Sequence, residues 1–239
     1  ATSSKRNSDR IYDSLYLEYA LALHQRIGSL SGTAYTLARQ AELLTVADPE
    51  MAWRHVQLGL EIAEQAAIRD HCIMMMHTAG IWNRLTVSDL SGAAELVRTA
   101  AQHDIEAAPC AICTVDRHAA IAAYHVAASD LETAAHYTEQ ALQLAQFAQN
   151  RLGQARLLRV QGQLHAARGE TTTAEICLAE TAGIFRELDD SYDLAQTLQI
   201  WGSLPAAHEA AQAERQRALQ EAQELMNRFR TNRILKKNG

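Results

Sequence analysis

Proline and glycine are scarce in this sequence, with 3 and 11 of them in 239 residues. So few breakers exclude a turn-dense all-β design and leave room for long uninterrupted segments. Aromatic residues make up only 5%, and alternating runs rich in Val, Ile and Thr, the mark of half-buried strands, are missing. No apolar run approaches the roughly 18 residues needed to span a bilayer, and the N-terminal ATSSKRNSDR has no apolar stretch of the secretory kind. The four cysteines, Cys72, Cys110, Cys113 and Cys177, are too sparse for a disulfide scaffold and suit a reducing cytoplasm. A formal net charge of −6 argues against general nucleic-acid coating. What is abundant is Ala, Leu, Gln and Glu, all good helix formers; hydrophobic residues reach 48% and charged residues 21%, enough for a core. The first residue is Ala rather than Met, so a longer protein containing this segment is the expectation.

The helical material is periodic. Turn signals read VADPEMA at 46–52, VSDLSGA at 87–93, ASDLETA at 128–134 and ARGETTTA at 167–174. Their acids, Asp48, Asp89, Asp130 and Glu170, are 41, 41 and 40 residues apart. A fixed period in this range signals stacked repeats. Each acid stands just ahead of a helix, where a carboxylate accepts from unpaired N–H groups and meets the positive end of the dipole. Four residues on come Ala52, Ala93, Ala134 and Ala174, small enough to let a neighbouring helix approach closely. The intervening segments agree: 16–41 aligns with 137–162, and 77–90 with 118–131. The pattern predicts helices near 9–28, 30–45, 49–67, 69–86, 90–106, 112–128, 131–149, 151–168, 171–188, 191–203 and 205–231, paired as antiparallel hairpins. No hairpin of this size buries its apolar face alone, so the units must stack.

With its small residue mid-way along the first helix (Ala41, Ala122, Gly162, Gly202), its acid at the turn, and its small residues early (Ala52, Ala93, Ala134, Ala174) and later (Gly59, Ala100, Ala141, Thr181) in the second, the sequence resembles the tetratricopeptide repeat over roughly residues 10–204. It departs from that family in its period of about 41 rather than about 34, in its poorly kept large aromatic positions and in the missing proline between units; HEAT and armadillo repeats have a nearer period but fit the small-residue pattern less well. The resemblance implies an all-α, right-handed α-α superhelix of about five hairpins plus a long C-terminal capping helix. The domain layout expected is a disordered segment over 1–9, one repeat domain over 10–231 and a basic tail over 232–239. Long Ala-rich repeats of this style are similar to the C-terminal sensor arrays of bacterial signal-transduction ATPases and large transcription regulators.

Motifs for chemistry are missing: neither GxxxxGK[ST] nor GxGxxG occurs, nor HExxH, nor GxSxG. No catalytic, cofactor-binding or metal-binding residue is assigned. Two side readings remain. Cys110 and Cys113, flanked by His103 and His118, have metal-ligand spacing without a second ligand pair. The MMMH run at 74–77 with Trp82 forms a soft apolar stripe that suits either a core or an adaptable contact.

In a superhelical array the first helix of each hairpin lines the concave face. The expected groove residues are therefore Tyr35, Arg39 and Glu42, then Met75, Thr78 and Trp82, then Asp116, then Arg156, Arg159 and Gln163, and last Gln196 and Gln199. Arg156 and Arg159, one turn apart, suit a carboxylate or phosphate. The basic stretch over 225–239, with Arg228, Arg230, Arg233, Lys236 and Lys237, reads as a soluble end. The function expected is a non-enzymatic scaffold that binds a protein, a peptide or a small effector in the groove, as the sensor part of a larger cytoplasmic regulator. A membrane or nucleic-acid partner is not expected. The alternatives are a metal-binding or enzymatic solenoid using the Cys110/Cys113 region, and a self-assembling structural module.

Overall fold

The computed structural model describes residues 15–102, 110–206 and 209–237. Helices joined by short turns account for them, with no strand among the described residues. The helix over 15–26 is α1; it is followed by α2 (Leu30–Leu44), α3 (Pro49–Ala63), α4 (Arg69–Thr86) and α5 (Leu90–Gln102), then α6 (Ala111–Ala127), α7 (Leu131–Phe147), α8 (Arg151–Ala167), α9 (Thr171–Glu187), α10 (Ser191–Gly202) and α11 (Glu209–Lys237). None is long and apolar enough to cross a membrane. The order and type of these helices match the sequence reading. The last one differs at its ends: it starts at Glu209 and continues to Lys237, through most of the stretch expected as a basic tail. The 1–9 segment lies outside the described residues.

One turn recurs. Ser88, Ser129, Gln149 and Asp189 take the left-handed conformation without being glycine, and Gly28 and Gly169 take it as glycine. From residue 129 onward these positions are 20 residues apart, so the turns inside a hairpin and between hairpins are the same device. At Ser129 the N–H donates to the Val126 carbonyl (3.1 Å) and the next N–H, of Asp130, reaches back to the His125 carbonyl (2.9 Å). Gln149 and Asn150 repeat this with Gln146 (3.1 Å) and Ala145 (2.9 Å). This pair of hydrogen bonds satisfies the last carbonyls of one helix, and the residue after the left-handed one caps the following helix. Asp89 accepts from the Gly92 N–H (2.9 Å), Asp130 from Thr133 (3.3 Å), Asn150 from Gly153 (2.9 Å) and Asp190 from Asp193 (3.0 Å). Asp48 caps α3 in the same way through Met51 (3.1 Å). Glu170 does not cap; its longer side chain turns back to His165. An acid bonded to a base five residues earlier is itself a repeated feature, since Arg84–Asp89 (3.4 Å) and His125–Asp130 (3.1 Å) do the same.

The described helices fall into two compact units, α1–α5 and α6–α11. In the first unit α2 pairs with α3 and α4 with α5, while α3 and α2 both pack against α4. In the second, α6 pairs with α7, α8 with α9 and α10 with α11; α7 then packs on α8 and α9 on α10. The first helices of successive hairpins, α6 with α8 and α8 with α10, also touch. Within each unit, then, hairpins lean on their sequence neighbours as in a solenoid.

All twelve small-residue positions are buried. Ala41, Ala52, Val56 and Ala79 share one core cluster. The need for a small side chain is steric. A β-carbon added at Gly162 would stand 2.8 Å from Leu178 Cγ, and one at Gly202 would stand 3.0 Å from the Arg215 carbonyl oxygen. Close approach at these crossings holds the two helices of a hairpin together, and larger residues beside them fill the gaps: Leu178 at the first, Phe185, Leu194 and Leu198 in the core next to it.

Candidate functional site

In the second unit the first helices of the hairpins present a polar row. Asp116 comes from α6, Arg156, Arg159 and Gln163 from α8, and Gln196 and Gln199 from α10. The structure brings several of these together and adds one residue that the sequence reading missed. Arg156 donates from Nη1 to Asp116 Oδ1 (3.2 Å) and from Nε to Asp193 Oδ2 (2.9 Å). Arg159 Nη1 donates to Asp193 Oδ1 (2.6 Å) and to the Asp193 carbonyl (3.3 Å). Two guanidinium groups and two carboxylates thus tie α6, α8 and α10 across their contact.

Burial grades this network. Arg159 and Asp193 side chains are each 2% exposed, and Arg156 and Asp116 are 15% and 13% exposed at its open end. Burial alone would push the Asp193 carboxyl up; the charges of Arg156 and then Arg159 outweigh it and hold the group at about 2. The Arg159 guanidinium also lies 5.7 Å from the centre of the Phe185 ring, a contact that favours the cation in a dry setting. Chemically, the arrangement is a charge-balanced clasp. The anion expected for Arg156 and Arg159 is here the protein's own Asp116 and Asp193. On the same helices, Gln163 is half-buried with Oε1 lacking a hydrogen-bond partner among the described residues, Gln196 is half-buried and Gln199 is exposed.

The expected groove residues of the first unit divide differently. Tyr35 is half-exposed; Arg39 lies over its ring (5.4 Å to the centroid) and pairs with Glu42 (2.7 Å), so these three do form one surface group. Met75 and Thr78 do not line an open surface. Both are buried, along with Met74, Met76 and His77, and the Thr78 hydroxyl is taken up by the Met74 carbonyl (2.9 Å). The methionine run is therefore core, because α4 is enclosed by α2, α3 and α5. Trp82 is half-buried. Next to it, Asn83 is fully buried and donates to the Pro49 carbonyl (2.9 Å), and Arg84 stacks 4.1 Å over Trp53, both unforeseen from sequence.

The Cys110/Cys113 region begins α6. Cys110 is the N-cap, its sulfur accepting from the Cys113 N–H (3.4 Å), and the two sulfurs stand 3.1 Å apart. His103 lies outside the described residues. His118 turns toward α7, its ring edge-on to Tyr137 at 5.2 Å. Burial, then the charges of Arg117 and His136, hold His118 down at about 4.

A signal for the clasp does exist in the sequence. Asp116 and Arg156 are 40 residues apart, one repeat period, and so are Glu175 and Arg215, which also pair. Opposite charges at equivalent positions of successive units lie side by side once the units stack. No family model and no curated protein matches this sequence.

Proposed function

We propose that this chain is a non-enzymatic binding scaffold, a helical-repeat array of the tetratricopeptide style in which the first helices of the hairpins present a recognition surface to a peptide or small effector. The supporting observation is the clasp that fixes α6, α8 and α10 in register, with Gln163 on α8 and Gln196 and Gln199 on α10. A pre-organised row of this kind presents donors and acceptors at little ordering cost. The clasp supplies rigidity and the glutamines supply contacts, because the arginine charges are already compensated. The mechanism proposed is population shift, an occupant favouring one packing of neighbouring hairpins.

The test is a thermal-shift screen of the 239-residue chain against carboxylated and phosphorylated metabolites and a library of short peptides, followed by calorimetry on hits. A hit that Gln163→Ala plus Gln199→Ala weakens at least about tenfold, equivalent to 1.4 kcal/mol, supports the reading. Conversion of a hit into product during the assay, or binding indifferent to both substitutions, overturns it.

A further inference from the structure

Three of the helices that open a hairpin are capped by oxygen, Ser29 for α2, Asn150 for α8 and Asp190 for α10, while Ile68 ahead of α4 offers no side-chain cap. At the equivalent place on α6 stands a thiol, Cys110, with a second thiol one turn inside the helix. Sulfur is a poor substitute if capping is the whole task, since Ser, Asn and Asp are the residues that cap well. The geometry points to another use. The two sulfurs are 3.1 Å apart, with the Cys110 thiol donating to Cys113 Sγ. A disulfide needs about 2.05 Å, a closure of about 1 Å that side-chain rotation supplies. Both residues are half-buried rather than sealed. The other thiols are worse placed: Cys72 is buried, and burial pushes both Cys72 and Cys177 up from the ordinary thiol range.

We propose that Cys110 and Cys113 form a reversible intramolecular disulfide that locks the start of α6, closed by exchange with a small-molecule disulfide. One cysteine thiolate attacks a sulfur of the reagent RSSR and expels RS⁻, leaving a mixed disulfide on the protein. The second cysteine, losing its proton, attacks the protein sulfur of that mixed disulfide and expels the second RS⁻. The two protons released by the protein thiols go to the two leaving thiolates. The net change is two protein thiols plus RSSR to one protein disulfide plus two RSH, the protein oxidised by two electrons and the reagent reduced by two. The consequence reaches the clasp, because Asp116 lies one turn beyond Cys113 on the same helix. Covalent closure of the first turn holds that carboxylate's helix against fraying.

The experiment equilibrates the full, reduced chain with glutathione disulfide and glutathione at stepped ratios, quenches with an alkylating reagent and maps the peptides by mass. The Cys110–Cys113 peptide should lose two hydrogens in one step while Cys72 and Cys177 remain alkylated, and excess glutathione should reverse it. Hydrogen exchange should slow at the Cys113 and Thr114 amides by roughly tenfold on closure, the scale expected for a short cross-linked loop. Cys110→Ser keeps a good cap, so it folds; it should trap glutathione on Cys113 and abolish both the link and the slowed exchange. Glutathione held on Cys110 and Cys113 without ring closure, linkage at Cys177 first, or protection of both thiols by one equivalent of added zinc would each overturn the proposal.

Discussion

The two units are built on the same hairpin yet are held together by different forces. In the first, the helix at the centre, α4, is enclosed on apolar contacts, with Ile73, Met74, Met76, Ala79 and Ile81 all buried. In the second, the corresponding contact between first helices carries a buried set of charges, Asp116, Arg156, Arg159 and Asp193. Their joints differ as well. From Ser129 to Asp190 each described turn has a left-handed residue, followed by a capping residue at all but Gly169, where Glu170 does not cap. In the first unit the turn after α2 runs through Thr45 to Asp48 and Pro49, and the segment between α3 and α4 ends at Ile68, which offers no side-chain cap. The comparison teaches that one backbone plan tolerates either a soft apolar filling or a charged, directional one. The directional one fixes register, since an ion pair is satisfied at one offset only, whereas methionine adapts to several.

The largest test of this difference is Asp193→Ala. It removes the carboxylate that the buried Arg159 bonds and one of the two that Arg156 bonds, so the second unit should lose about 3–5 kcal/mol. Hydrogen exchange read unit by unit should show the loss confined to α6–α11, and uniform loosening of both units would break the comparison. Met76→Ala in the first unit should instead cost about 2–5 kcal/mol through a cavity, without any pH dependence.

Acidification should separate the units next. His118 is held at about 4 in the folded chain, below its ordinary value of 6.5. The unfolded chain therefore binds the extra proton first, so this residue's contribution is intact above about 6.5 and drains away as pH falls through about 4. The loss is on the order of 2–3 kcal/mol. Asp193, also held below its ordinary value, at about 2, acts in the same sense over a lower window: its stabilisation is complete above its unfolded value near 4 and disappears as pH falls through about 2. Denaturant melts from pH 7 to pH 3 should decline in the second unit already by pH 5, and His118→Phe should flatten that decline.

A smaller effect sharpens the steric part of the account. Gly162→Ala places a methyl against Leu178 and should cost about 1–3 kcal/mol. Gly183→Ala, on α9 with open space around the new carbon, should stabilise by roughly 0.5–1 kcal/mol. Smallest are the turns. Replacing Gln149 or Asp189 by Gly removes left-handed strain of about 1 kcal/mol each, and melting temperatures should rise slightly for both.

The helices and their pairing were legible because capping acids and small contact residues are local signals, readable within one turn of sequence. Asp48, Asp89 and Asp130 announced their helices, and Gly162 and Ala174 announced a crossing. The turn at Gln149 gave no such notice, since glutamine rarely takes positive φ, and Asp189, a type that visits it more often, was hidden beside the capping Asp190. Met75 and Thr78 were misplaced because helical spacing says which residues share a face but not how many neighbours enclose it. Asp193 was missed for a third reason. An acid in the first turn of α10 reads as a complement to the helix dipole, and only stacking reveals partners 34 and 37 residues upstream.

The two-residue joint has a consequence for how long such a molecule is. Because the exit from one helix and the entry to the next are completed by adjacent residues, nothing in the joint refers to its position along the chain. A block of 40 residues, such as that from Asn150 to Asp189, begins and ends at chemically equivalent seams. Copying or deleting such a block leaves every remaining seam intact, so this architecture grows or shrinks in whole steps, as a chain of links does.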